Sequence, residues 1–246
     1  MINIGLSNER KIIDSLNNKY YYQLNDNLKD FLKFLYNDIS YHDQIYAKKN
    51  NNFYKSDICI IVNGKEKNVS IKSGGENSIH LEKLDTFVKF LKNIGVHENI
   101  IKYLKLYHFG DDSYDGRGFK RYSAEEAKNK YYSEIKIFNK YISYDNLLEK
   151  IINRFLFYGL KEEKQVDCIY YGNENYGIWA SRNEIIKFLV NNKNYHIRTI
   201  HFSSLTFQNW CRNINRNMKS ESHRDYIQIK WFSIVSDLEK IRQNNP

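Results

Sequence analysis

Apolar residues near the start of the chain recur at helical spacing. Residues 8–17 and 26–37 each carry an apolar stripe with a period of about 3.6, which predicts two helices. Ser7 can cap the first helix. An acid in the first turn, Glu9, is favoured there by the helix dipole alone.

A β-hairpin is the strongest local prediction. An apolar run over 58–62 leads into Asn63-Gly64, and a second strand follows over about 67–72. Asn-Gly between two such runs indicates a tight hairpin, because both residues tolerate positive φ.

The register of this hairpin decides which side chains meet. A two-residue turn pairs Val62 with Lys65 and so sets Asp57 opposite Ser70, with Lys72 on the same face. A four-residue turn would set Asp57 directly opposite Lys72. In either register these three polar side chains share one face, and the other face is suited to burial. The residues of that other face are Ile58, Ile60, Val69 and Ile71.

The rest of the chain alternates between helix and strand patterns. A helix is predicted over about 79–94, and 103–109 fits a strand or a helix; a helix there would leave 166–171 as the last strand of the core. Ser123 and Glu126 form a capping box before a long helix that ends near residue 142. Further helices are predicted near 146–158, 182–191 and 233–242, and further strands near 177–180, 197–203 and 226–231. The fold class is therefore α/β, or loosely α+β, with a mixed α+β C-terminal half.

The net charge of the chain indicates which class of partner it binds. The 246 residues contain 38 Lys and Arg against 29 Asp and Glu, a formal charge of +9, which favours a polyanion. No run approaches the ~20 apolar residues of a membrane span and no secretory signal opens the chain, so the expected location is the cytoplasm, without membrane contact. Three widely spaced cysteines argue against a zinc site of the CxxC type.

Asp57, with Ser70-Ile71-Lys72 on the next strand, resembles the motif of the PD-(D/E)XK nuclease superfamily, the fold of many type II restriction endonucleases. The resemblance implies that Asp57 binds a metal ion and that Lys72 helps to activate the water that attacks the phosphodiester. Ser56 stands in place of the usual proline. Ser70 stands where the second acid is expected, and is interpreted as a minor polar contact.

The missing carboxylate is expected from the segment after the hairpin. Some members of the superfamily supply it from the following helix, and Glu82 is the preferred substitute here, with Glu76 and Asp85 as alternatives. In the superfamily the first helix often carries a further metal-site glutamate, and this makes Glu9 an additional candidate. The implied cofactor is Mg²⁺.

Residues 198–231 are the predicted DNA-recognition segment. Arg suits guanine edges and phosphates, and Asn and Gln suit adenine. The candidates for DNA contact are Arg198, Gln208, Asn209, Arg212, Asn213, Arg216, Lys219, Arg224 and Lys230. Asp111 to Gly116 imitates the start of an EF-hand loop, but Tyr122 occupies the position of the bidentate Glu, which excludes a full calcium site.

The resemblance implies a restriction-endonuclease-like nuclease core over 1–120, with a mixed central sheet flanked by helices. Residues 121–246 are then expected to form a helical insertion and a DNA-recognition portion, packed with the core. The expected activity is Mg²⁺-dependent, site-specific cleavage of double-stranded DNA, with a homodimer as one working form. The alternatives are a non-catalytic DNA-binding protein on the same fold, for which Ser70 argues, and an RNA-directed or structure-specific nuclease.

Overall fold

The computed structural model describes residues 4–51, 53–75, 77–160, 164–193, 198–209 and 223–244. The chain divides into two compact units. Unit 1 comprises Met1–Asn77, Asn153–Phe188 and Ser233–Pro246, and unit 2 comprises Ser78–Ile152 and Leu189–Phe232. Residue 120 lies inside unit 2, so neither unit ends where the sequence divided the chain; the functional assignment of the two portions stays a prediction.

The described elements follow one another in a mixed order. The helices are α1 (Ile4–Leu16), α2 (Asp26–Leu35), α3 (Leu84–Asn93), α4 (Glu98–Phe109), α5 (Ala124–Lys130), α6 (Tyr132–Ile142), α7 (Asp145–Asn153), α8 (Arg182–Asn191) and α9 (Ile234–Asn244), with a π-helical turn over Arg154–Tyr158 and a 3₁₀ turn over Tyr21–Gln23. The strands are β1 (Lys19–Tyr20), β2 (Gln44–Lys49), β3 (Ile58–Val62), β4 (Lys65–Lys72), β5 (Ser78–Lys83), β6 (Cys168–Gly172), β7 (Gly177–Ser181), β8 (His201–Phe202), β9 (Leu205–Asn209) and β10 (Tyr226–Lys230).

Unit 1 is built on a mixed sheet with strand order β1-β2-β3-β4-β6-β7. All neighbours are antiparallel except β4 and β6, which run parallel and pair Ser70 with Ile169 and Lys72 with Tyr171. One face of the sheet is buried together with apolar residues of the first two helices, including Ile12 from α1 and Phe31 from α2. The predicted apolar hairpin face, from Ile58 to Ile71, is part of this core, as expected.

Unit 2 contains a second, four-stranded antiparallel sheet with the order β5-β10-β9-β8. Its buried face includes Phe207, Ile227 and Ile229, each at most 1% exposed. Within the described ranges, every helix of the chain is too short or too polar to span a lipid bilayer.

Several predicted elements need correction. The helix predicted over 79–94 begins at Leu84, because residues 78–83 form β5 and pair with β10 from a distant part of the sequence. The ambiguous stretch 103–109 is the end of helix α4, which stops at Gly110 with φ 60°, and the last core strand is β6. The long helix before residue 142 is interrupted at Tyr131, and the strand predicted over 197–203 is formed only at His201–Phe202 among its described residues.

The turn of the β3–β4 hairpin gives a first testable prediction. Asn63 and Gly64 both have positive φ, 50° and 75°, as a two-residue hairpin turn requires. A Cβ on Gly64 would meet nothing within 4 Å, so any cost of Gly64→Ala comes from the left-handed backbone. We expect this substitution to lower the free energy of unfolding by about 1–2 kcal/mol, measured by urea denaturation. Gly75→Ala is the matched control, since Gly75 has no positive φ and its Cβ would also meet open space; an equal loss in both variants would contradict the explanation.

Candidate active site

Asp57 extends the hairpin by one residue beyond β3. Its backbone N–H donates to the carbonyl of Val69 at 2.9 Å, and its own carbonyl accepts from the N–H of Asn50 at 2.9 Å. Val62 pairs with Lys65, which confirms the two-residue turn, and the ladder ends at Ile58 and Val69, next to Asp57 and Ser70. Both ladder bonds fix the main chain of Asp57 between β2 and β4.

The carboxylate of Asp57 is held by three donors on a single oxygen. Its Oδ2 accepts from the Ser70 hydroxyl at 2.9 Å, from the Ile71 backbone N–H at 2.6 Å and from Lys72 Nζ at 3.2 Å. The side chains of Asp57 and Lys72 are 25% and 23% exposed, so solvent and a ligand can reach both. Among the described residues none donates to the other oxygen, Oδ1, which leaves it able to bind a cation.

Cys59 lies two residues further along on the same face of the sheet. Burial raises the pKa of its thiol, and the nearby Glu66 carboxylate raises it further, against weaker opposite effects of Lys48 and Lys164. A thiol held neutral in this way is a small packing residue and a poor nucleophile. Cys59 is therefore a packing residue beside the pair of Asp57 and Lys72.

Glu9 lies on the other side of the sheet. Its carboxylate forms an ion pair with Lys49 at 3.0 Å and is 15% exposed. Lys49 pairs with Ile58, so its side chain leaves the sheet on the face opposite to that of Asp57. The structure therefore does not bring Glu9 to the side chain of Asp57.

Glu82 belongs to unit 2 and lies on a strand, whereas the sequence placed it in a helix. Its fully buried carboxylate contacts the Nε2 of His80 at 3.0 Å, two residues away on the same face of β5. Asp85 lies in the first turn of α3, also in unit 2. Glu76 falls outside the described residues.

Of the predicted metal ligands, Asp57 lies beside Lys72. Within the ranges given above, no three His, Cys, Asp or Glu side chains lie close enough together to hold a metal ion. Mg²⁺ in nucleotide chemistry is commonly bound by one or two carboxylates, with water and substrate phosphates as the remaining ligands. The unengaged oxygen of Asp57 fits that mode of binding.

A cleft adjoins the end of strand β4. It has a volume of about 520 Å³ and is lined by Ser73 and Gly74, by Lys11 of α1, and by Tyr171 and Tyr176 of the β6–β7 hairpin. The hydroxyl of Tyr171 donates to the carbonyl of Gly74 at 2.9 Å and ties the loop after Lys72 to β6. This cleft has no local signal in the sequence, because it depends on the parallel pairing of β4 with β6.

The predicted DNA-contacting residues differ in exposure and in their contacts. Gln208 and Lys230 share the partly exposed face of the unit 2 sheet, where Gln208 stands directly opposite Gln228. Arg198 is exposed, and its Nη1 lies 3.8 Å from Oε1 of Glu125 in a surface ion pair. The candidates that lie outside the described residues are Arg212, Asn213, Arg216 and Lys219.

Asn209 and Arg224 are engaged in contacts within unit 2. The amide of Asn209 donates to the carbonyl oxygens of Tyr107 and His108 at the end of α4, at 3.2 and 2.6 Å. The guanidinium of Arg224 contacts the buried carboxylate of Asp111 at 2.7 Å. Hydrogen bonds from Ser113 and Gly118 engage the Asp111 carboxylate as well.

No protein-family model and no curated protein sequence matches the chain. Among solved structures, the chain is similar to the restriction endonuclease MspI in a crystal structure with its cognate DNA. The TM-score is 0.60 at 10% sequence identity, over 92% of this chain and 88% of that chain. The α/β, restriction-endonuclease-like fold is thereby confirmed, with a mixed central sheet flanked by helices.

Proposed function

We propose that this protein is a Mg²⁺-dependent endodeoxyribonuclease that hydrolyses phosphodiester bonds of double-stranded DNA at specific sites. One observation carries the proposal. Asp57 Oδ2 and Lys72 Nζ lie 3.2 Å apart on a partly exposed sheet face of a restriction-endonuclease-like fold. The similar structure was solved with DNA bound to a nuclease, which supports a nucleic-acid substrate. The formal charge of +9 points to the same class of partner.

The residues of this face have separate roles in the proposed reaction. Bound Mg²⁺ would supply a more acidic water and a positive charge at the phosphate. Asp57 would hold the ion through Oδ1 while its other oxygen stays fixed by three donors. Lys72 would orient the attacking water and stabilise the charge that develops on the phosphate. Ser70 fixes the carboxylate of Asp57 and supplies no charge of its own.

The polar face of the unit 2 sheet is the proposed surface for reading bases. Its residues are Thr206, Gln208, Gln228 and Lys230, in two directly opposed cross-strand pairs. Gln can form bidentate hydrogen bonds with adenine, and Lys can bind guanine or phosphate. We include Arg198 as a phosphate contact and leave out Asn209 and Arg224, whose side chains are engaged within the unit.

The experiment is incubation of the purified protein with mixed-sequence duplex DNA, with Mg²⁺ and separately with EDTA. Discrete fragments that form only with Mg²⁺ are the expected result. DNA that is bound in a salt-dependent manner but stays intact would support a non-catalytic DNA-binding protein instead. Faster cleavage of RNA or branched DNA than of duplex DNA would support the other alternative.

A homodimer that cuts both strands stays a prediction. A symmetric dimer suits a palindromic site, because each copy then meets the same half-site. Sedimentation of the protein with and without a duplex oligonucleotide measures the number of copies on each DNA. A single copy in the cleaving complex would contradict the dimer and leave the nuclease proposal intact.

A further inference from the structure

We propose that Asn50 is a positioning residue for Asp57, acting through a buried amide network that joins three consecutive strands. The inference rests on the proposed function, because it concerns the carboxylate to which that function assigns the metal. It adds a residue that touches neither metal nor substrate.

The network begins at the end of β2. The side-chain amide of Asn50 donates to the hydroxyl of Ser56 at 2.7 Å and to the side-chain carbonyl of Asn68 at 3.1 Å. Asn50 and Ser56 are 7% and 2% exposed, so water cannot readily replace these bonds. Asn50 therefore connects the residue before Asp57 with the middle of β4.

The network continues beyond the hairpin. The backbone N–H of Asn68 donates to the Asp167 carboxylate at 2.8 Å, and the N–H of Asp167 donates to the carbonyl of Asn68 at 2.8 Å. The hydroxyl of Ser56 also lies 3.4 Å from the carbonyl of Lys164. The network thereby reaches the segment before β6, the strand that pairs with Ser70 and Lys72.

Asn50 also lies on the face that carries the reaction. Its N–H bonds to the carbonyl of Asp57, which makes the two residues ladder partners whose side chains leave the sheet on one side. Asn68 is the partner of Cys59 and lies on that side too. Asn50 thus bonds to the carbonyl of Asp57 through its main chain and to the preceding Ser56 through its side chain, so a shift of Asn50 moves the segment that carries the carboxylate.

The physical reason for such a support lies in the segment that precedes Asp57. Ser56 lies between β2 and β3, outside both strands, and lacks the fixed φ that a proline would impose. Ladder bonds hold Asp57 itself, but the residue before it is held by its side chain. A displacement of about 1 Å at a catalytic group can slow a reaction about 100-fold.

The first measurement is the single-turnover rate of DNA cleavage with saturating protein, at several Mg²⁺ concentrations. We expect Asn50→Ala to lower the rate about 10- to 100-fold. We also expect it to raise the Mg²⁺ concentration at half-maximal rate, with unchanged DNA affinity in EDTA. Ser56→Ala is the second variant and removes a smaller group. The effects of Ser56→Ala and Asn50→Ala on the cleavage rate should be less than additive, because both variants remove the hydrogen bond between Asn50 and Ser56.

Asn17→Ala is the matched control. Asn17 also supports β2 through its side chain, accepting from the N–H of Ala47 at 3.1 Å, but it makes no contact in the network. Its substitution is expected to leave the cleavage rate unchanged. A rate loss equal to that of Asn50→Ala would overturn the inference, since it would show a general effect of loosening β2.

Hydrogen–deuterium exchange provides a readout that does not depend on cleavage. In Asn50→Ala we expect faster exchange in a peptide covering residues 50–57 and unchanged exchange in α1 and α2. If the wild-type protein cuts DNA and the variant shows the same rate and the same exchange, the inference fails. If the wild-type protein does not cut DNA, the proposed function fails, and the exchange result still decides whether Asn50 holds this segment.

Discussion

Replacing Asp57 by alanine is expected to lower the Mg²⁺-dependent rate of DNA cleavage by about 10²–10⁴-fold. The variant removes the carboxylate whose one oxygen is fixed by Ser70, Ile71 and Lys72 and whose other oxygen is available to a metal ion. Affinity for DNA in EDTA should stay the same or rise, because a negative charge is lost near the phosphates. A gel-based cleavage assay and a filter-binding titration measure the two effects separately.

Two further variants make this prediction specific. Asp57→Asn keeps the shape of the side chain, and we expect it to lose activity to a similar degree because it loses the charge. Glu66→Ala removes an acid from the same face of β4, farther along the hairpin, and cleavage should persist. Undiminished cleavage by Asp57→Ala would place the active site elsewhere in the molecule.

The second large effect concerns stability and lies in unit 2. The Asp111 carboxylate is fully buried and its partner Arg224 is 13% exposed, with 2.7 Å between Oδ2 and the guanidinium. Asp111 also accepts hydrogen bonds from Ser113 and Gly118. Asp111→Ala would leave the guanidinium buried without this carboxylate and release the loop, so we expect a loss of about 3–5 kcal/mol.

Thermal unfolding followed by circular dichroism measures this loss. For a chain of this size the expected shift in Tm is on the order of 10 °C. Glu98→Gln is the matched control, since it breaks an ion pair in the same unit, that with Lys92, whose two side chains are about half exposed. The control should leave Tm unchanged. A small shift in Asp111→Ala, equal to the control, would show that the buried pair contributes little.

The hairpin shows what local pattern can predict. Turn chemistry and a period of two predict the tight turn at Asn63-Gly64, the apolar alternation from Ile58 to Ile71 and the position of Asp57 beside Ser70. These signals lie within 16 residues, from 57 to 72, and need no knowledge of the remaining chain. The resemblance to a nuclease motif was read from the same short segment.

Glu82 shows where local pattern fails. Leu84, Phe87, Val88 and Leu91 have helical spacing, and the prediction extended their helix backwards over residues that have no such pattern. Residues 78–83 form a strand because β10, more than 140 positions away, offers them a partner. A pairing between segments so far apart produces no recognisable pattern among neighbouring residues of the sequence.

By itself, the sequence determined the α/β class, the β3–β4 hairpin and the joint position of Asp57, Ser70 and Lys72, because turn geometry and alternation are local properties. Only the tertiary structure decided that β6 runs parallel to β4, that Glu9 meets Lys49 on the sheet face opposite to Asp57, and that Asn50 bonds to the residue before Asp57. Each of these features depends on which distant segments pack together. That choice is made by the burial of apolar surface summed over the whole chain, which no short stretch of sequence displays.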